Sequence, residues 1–122
     1  MTTKELLETY YNGFAQKKGW EPVIAEDFKF VGGDMTKPDA IVGKQAYIEI
    51  IKRFSRLFKS MRVKHMIIND DRACVIANYD YEFPNGKNIS GDVAEIWNVK
   101  NDKLDSLTIF FDTLSFHEFT KK

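Results

Sequence analysis

The sequence has a single cysteine, Cys74, in 122 residues, which excludes an intramolecular disulfide. Such sparse cysteine use predicts a reducing compartment. Charge of one sign is also lacking, because 18 Lys and Arg face 18 Asp and Glu. A chain balanced in this way gains little from a phosphate backbone or an anionic lipid surface, which argues against nucleic-acid and membrane partners. No apolar run approaches the roughly 18–20 residues that span a bilayer. The opening MTTKELLETYY carries charges through its first turns and lacks the apolar core of a secretory signal. No Walker loop, Gly-x-Gly-x-x-Gly or Gly-x-Ser-x-Gly motif is present. The two histidines, His65 and His117, stand apart, and the acidic pairs sit in turns without metal-ligand spacing. These absences predict a cytoplasmic protein that uses no cofactor and no metal.

Aromatic residues are plentiful: ten Phe, five Tyr and two Trp, far too many for a disordered segment. The length predicts a single domain over residues 1–122, long enough to bury a core without staples. Charge is uneven along it, with 12 basic and 8 acidic side chains in residues 1–69 against 6 and 10 in residues 70–122. The basic run Lys52, Arg53, Arg56, Lys59, Arg62 and Lys64 reads as a solvated helix face running into a strand.

Thr2 with Glu5 makes a capping box, and Leu6, Leu7, Tyr10, Tyr11 and Phe14 repeat at helical spacing. Gly19 is a plausible stop. A short amphipathic turn at Trp20, Val23 and Ile24 leads to a strand over Asp27–Val31 and a long loop over Gly32–Gly43. A second helix is expected from Lys44 to Leu57, with Tyr47, Ile50, Ile51, Phe54 and Phe58 as its buried stripe. Beyond residue 60 the period changes to two. Four strands are predicted, Met61–Ile68, Ala73–Phe83, Asn88–Lys100 and Leu104–Thr113, joined by tight turns that include Asn85-Gly86. Tight turns impose antiparallel pairing. Helices followed by a meander mean an α+β fold, a curved and mostly antiparallel sheet wrapped around the N-terminal helices. The apolar tail Leu114–Phe119 is expected to dock or to cover a pocket mouth.

Two polar residues fall on apolar stripes. Glu95 shares a strand face with Ile89, Gly91, Val93, Trp97 and Val99. A carboxyl so placed is costly unless paired or neutral, and burial raises its pKa. Groups of that kind serve as acids or hydrogen-bond donors, although a rim position or a cross-sheet ion pair would also explain it. His65 alternates with Met61, Val63 and Ile67, where a structural histidine and a pocket residue are both open readings. Asp112 closes the most apolar strand, on the side of Thr108 and Phe110, as either a capping residue or an acid–base group. Tyr10 and Tyr11 lie on the apolar side of the first helix, and Tyr79 and Tyr81 continue the stripe of Ala73, Val75 and Ala77. Each of these phenols is either a core ring or a cavity hydroxyl. Cys74 alternates with Ile76 and reads as a small core residue.

The order helix, short turn, strand, loop, helix and four-strand meander resembles the nuclear transport factor 2-like superfamily, in its SnoaL-like polyketide cyclase and ketosteroid isomerase branch. ELLETYYNGF looks like the opening helix, IAEDFKFVGG the first strand and IVGKQAYIEIIKRF the second helix. GDVAEIWNVKNDKLDSLTIFFD looks like the closing hairpin that ends in an aromatic-Asp pair. The resemblance implies a cone-shaped fold with a pocket for a small hydrophobic molecule. It places Tyr10 where the isomerases carry an oxyanion-hole tyrosine and Glu95 where they carry a neutral carboxylic acid. The place of the isomerase general base is taken by Gly32, and Asp34 is two residues on. Asp112 matches the acid–base Asp of the cyclases. His65, Trp97, Phe110, Tyr79, Phe54 and Phe14 are the further candidates for a pocket lining.

Two functions follow as alternatives. One is a cofactor-independent isomerase or cyclase acting on a hydrophobic carbonyl compound, with Asp112 or Asp34 moving the proton and Tyr10 and protonated Glu95 steadying the enolate oxygen. The other is a non-catalytic ligand-binding or dimerisation module. In either case both faces of the last strand are apolar, which predicts a homodimer through the open face of the sheet.

Overall fold

The computed structural model describes residues 1–32 and 39–112. Helix α1 spans Thr3–Ala15, a 3-10 turn spans Glu21–Val23, and strand β1 spans Ile24–Val31. They are followed by β2 (Ile41–Val42), α2 (Lys44–Phe54), β3 (Phe58–Asn69), β4 (Arg72–Glu82), β5 (Asn88–Lys100) and β6 (Lys103–Phe110). The capping box forms as the sequence predicts: Glu5 N–H donates to Thr2 Oγ1 at 3.1 Å, and Thr2 N–H donates to Glu5 Oε1 at 2.9 Å. Leu6, Leu7, Tyr10, Tyr11 and Phe14 are all buried.

The strands form one curved sheet in the order β2-β1-β6-β5-β4-β3. The predicted four-strand meander is β3 to β6, antiparallel throughout. Its outer turns place Asp70, Asn101 and Asp102 at positive φ, conformations that Asn and Asp tolerate best among residues with a side chain. Strand β1 pairs parallel to β6, a crossover that adjacent-turn logic cannot reveal. Several boundaries differ from expectation. Strand β1 begins at Ile24 rather than Asp27, and β3 begins at Phe58 because α2 stops at Phe54 rather than Leu57. The loop expected over 32–43 contains β2, paired with β1. The tail expected over 114–119 lies outside the described residues.

Alternation along β4 and β5 puts Ala73, Val75, Ala77, Tyr79 and Tyr81, with Val93, Glu95 and Trp97, on the face that the helices cover. The opposite face carries Cys74, Ile76 and Ile96, so Cys74 is a half-buried outer-face residue rather than a core one. Lys17 ties α1 to the end of α2: its Nζ donates to the carbonyls of Ser55 at 2.7 Å and Phe58 at 2.8 Å. All six members of the basic run are exposed, the solvated face that the sequence predicts.

Candidate functional site

Glu95 sits mid-strand in β5, opposite Val75 of β4 and Ile109 of β6, and is 5% exposed. Its carboxyl forms no ion pair among the described residues. Tyr11 Oη donates to Oε1 at 2.8 Å, and Tyr79 Oη donates to Oε2 at 3.0 Å. Trp97, two residues further along β5, donates its Nε1–H to Tyr11 Oη at 2.9 Å. Next to this chain is a second pair, Tyr10 and Tyr47, with hydroxyl oxygens 2.6 Å apart. That pair holds two protons and one hydrogen bond, which leaves one O–H without an acceptor among the described residues.

Burial pushes the Glu95 carboxyl up to about 7, against the pull of the Tyr11 and Tyr79 hydroxyls, which favour the ionised form. Burial also raises Tyr10, Tyr11, Tyr47, Tyr79 and Tyr81 above the ordinary phenol value, so all five are neutral near pH 7. The group therefore has one titrating centre near neutral pH, ringed by neutral hydroxyl donors.

Glu95 opens onto a cavity of about 240 Å³ whose described lining includes Tyr10, Phe14, Tyr47, Phe54, Tyr79, Ile109 and Phe111. No other carboxyl and no cationic side chain lines it among the described residues. Four of the anticipated residues thus meet in one place with Glu95: Tyr10, Phe14, Phe54 and Tyr79. Trp97 is fully buried but stands behind the lining, where it holds Tyr11.

Three anticipated residues lie elsewhere. His65 is exposed, because the register slips between Val63 and His65 and turns it to the outer face opposite Ile76. Phe110 is 54% exposed and pairs with Ala94 on the outer face, while its neighbours Ile109 and Phe111 line the cavity. Asp112 is exposed just past β6, beside Ser90, Gly91 and Asp92 in a separate depression, so it does not share the cavity of Glu95. Asp34 lies outside the described residues. Sequence reasoning carried Tyr10 forward as the carboxyl's companion, but the direct partner is Tyr11. Tyr47 was legible only as a member of the α2 stripe. Among the described residues no cluster of His, Cys, Asp or Glu could hold a metal ion, and no helix is long and apolar enough to cross a membrane.

Residues 7–106 match the sequence profile of the SnoaL-like domain. The chain belongs to that family. No protein of curated function matches the sequence. Among solved structures it is similar to TerC co-crystallised with polyporic acid, at 22% identity over 94% of this chain and 95% of that one, with a TM-score of 0.80. It is also similar to an NTF2-like protein from Burkholderia thailandensis E264, at 14% identity over 100% and 99% of the chains, with a TM-score of 0.87. A Jannaschia sp. CCS1 protein, provisionally described as a SnoaL-like polyketide cyclase, aligns at 15% identity over 95% and 88%, with a TM-score of 0.81. At these identities the likeness establishes the NTF2-like fold.

Proposed function

We propose that this protein is a cofactor-independent isomerase or cyclase that moves a proton on a small, neutral, hydrophobic carbonyl compound. The observation that carries this reading is Glu95, the one carboxyl of the described cavity lining, buried and poised near neutral pH. A general base works best when its pKa lies near the working pH. The ionised carboxylate takes a proton from the carbon next to the substrate carbonyl. The spare O–H of the Tyr10–Tyr47 pair donates to the oxygen on which charge collects. Glu95 then returns the proton to a different carbon. This departs from the expectation that Asp112 or Asp34 is the base and Glu95 only a donor. The cyclase-like neighbour from Jannaschia sp. CCS1 supports the reaction class by analogy of fold.

The test is α-proton exchange. Flat cyclic ketones such as 2-tetralone are incubated with the protein in deuterated buffer and followed by proton NMR. The wild type should accelerate exchange, and Glu95→Gln should lose about two to four orders of magnitude of that acceleration. Equal rates in the two proteins contradict the proposal, and tight binding without exchange favours the ligand-binding alternative.

We also propose that the working form is a homodimer. On the outer sheet face Ile67, Ile96 and Phe110 are exposed beside a strip of Arg62, Lys64, Asp80 and Asp92. An apolar patch flanked by equal numbers of both charges is self-complementary, which suits a second copy related by a twofold axis. Sedimentation at micromolar concentration should give a dimer, and Phe110→Asp should give a monomer. A monomeric wild type rules the dimer out.

A further inference from the structure

The two tyrosines that hold Glu95 are not equivalent. The Tyr11 oxygen already receives the Trp97 indole N–H, a group that can only donate. Tyr11 does not line the cavity, and its one proton has no acceptor among the described residues other than Glu95 Oε1. Its hydrogen bond is therefore fixed in direction. Tyr79 lines the cavity, and among the described residues its only hydrogen bond is to Oε2. A hydroxyl can give or receive such a bond, and a phenol O–H lies near its ring plane in either of two opposed orientations. When Tyr79 receives, its own proton turns away from Glu95.

We propose that Tyr79 is a reversible donor whose direction is set by the proton on Glu95. With Glu95 ionised, Tyr79 gives its O–H to Oε2. When Glu95 removes a proton from the substrate, the C–H bond breaks, its electron pair moves into the enolate, and the proton forms a bond to Oε2, since Tyr11 keeps Oε1 an acceptor. Oε2–H then donates to Tyr79, and the Tyr79 O–H swings into the cavity to bind the enolate oxygen. Return of the proton to carbon reverses every step. Proton removal and oxyanion binding are thereby coupled through one hydroxyl. The proposal rests on Glu95 as the acid–base group, but the asymmetry of the two tyrosines is measurable without a substrate.

The groups that face Glu95 are Tyr10 and Tyr11 from α1, Tyr47 from α2, and Tyr79 and Tyr81 from β4, all neutral near pH 7. A single titration is therefore expected. Protein labelled with ¹³C at the glutamate carboxyls, with the Glu95 signal assigned by its loss in Glu95→Gln, is titrated as wild type, Tyr11→Phe and Tyr79→Phe. Each Phe variant keeps the ring and removes one oxygen. Tyr11→Phe deletes a bond that only ever favours the carboxylate, and should raise the Glu95 pKa by about one pH unit or more. Tyr79→Phe deletes a bond that serves both protonation states, and should raise it by less than half as much. An equal or larger rise in Tyr79→Phe overturns the proposal while leaving Glu95 as the base. A second readout uses 2-naphthol, a flat apolar phenol. Its affinity should fall about tenfold in Tyr79→Phe at pH 5.5, where Glu95 is protonated, and should be unchanged at pH 8.5. Equal effects at both pH values also overturn the proposal, whereas a naphthol affinity that Glu95→Gln leaves unchanged at pH 8.5, where the wild-type carboxyl is ionised, counts against the site itself.

Discussion

At pH 8 the Glu95→Gln variant is expected to be more stable than the wild type by about 3 kcal/mol, and at pH 4.5 to be indistinguishable from it. In the folded protein Glu95 keeps its proton up to about pH 7, whereas the unfolded chain releases it near the ordinary glutamate value of 4.5. Between those values the unfolded state gains from ionisation and the folded state does not. The wild-type contribution from Glu95 is therefore fully present below pH 4.5, falls as pH rises, and levels off above 7. Glutamine resembles the protonated acid: its carbonyl accepts from Tyr11 and its amide N–H donates to Tyr79. Glu95→Ala tests the packing side of the same site. It leaves a cavity and strands the Tyr11 and Tyr79 hydroxyls, which should cost about 3 kcal/mol at pH 4.5. That cost should shrink toward zero at pH 8, where the wild type itself bears the buried charge. Urea denaturation of the three proteins at both pH values checks the pattern. Comparison at one pH cancels exposed carboxylates such as Asp80, which Ser60 and Arg62 hold down to about 2.

Gly13→Ala should destabilise the protein by about 3 kcal/mol, although the same change in an exposed helix is stabilising. Gly13 lies where α1 packs on the turn that follows it. A Cβ there would stand 2.6 Å from Trp20 N, 2.7 Å from Gly19 C and 2.9 Å from Lys18 O. These are backbone atoms, so the helix and the turn must separate. That displacement would pull Trp20 away from the Tyr10 ring on the cavity wall, whose centroid it meets at 5.9 Å. Gly91→Ala is the control, since a Cβ on Gly91 meets nothing within 4 Å. Thermal denaturation should show a large fall in Tm for the first variant and almost none for the second.

Local patterns made the fold legible. The capping box, the α1 stripe and the Asn85-Gly86 turn each depend on residues a few positions apart, and period-two alternation exposed Glu95 as a misfit. What escaped depends on distant elements. Alternation misplaced His65 because a one-residue bulge in β3 reverses every face beyond it, and no residue type marks that bulge. The choice of Tyr11 over Tyr10 as Glu95's partner comes from how α1 crosses β5, since both tyrosines lie on the buried side of the helix. In β6 the pattern separated Phe110 from Ile109 and Phe111, but with both faces apolar it could not say which faced inward. Only the register against β5 decides that. Asp112 follows the same rule and ends outside the cavity.

The central claim is that Glu95 is a buried acid poised near neutral pH inside an apolar cavity. It is tested most directly by following the Glu95 ¹³C carboxyl signal of the folded, ligand-free wild type from pH 4 to pH 9. An inflection near 7 that disappears in Glu95→Gln is the result this account predicts. An inflection at the ordinary carboxylate value of about 4.3 would contradict it.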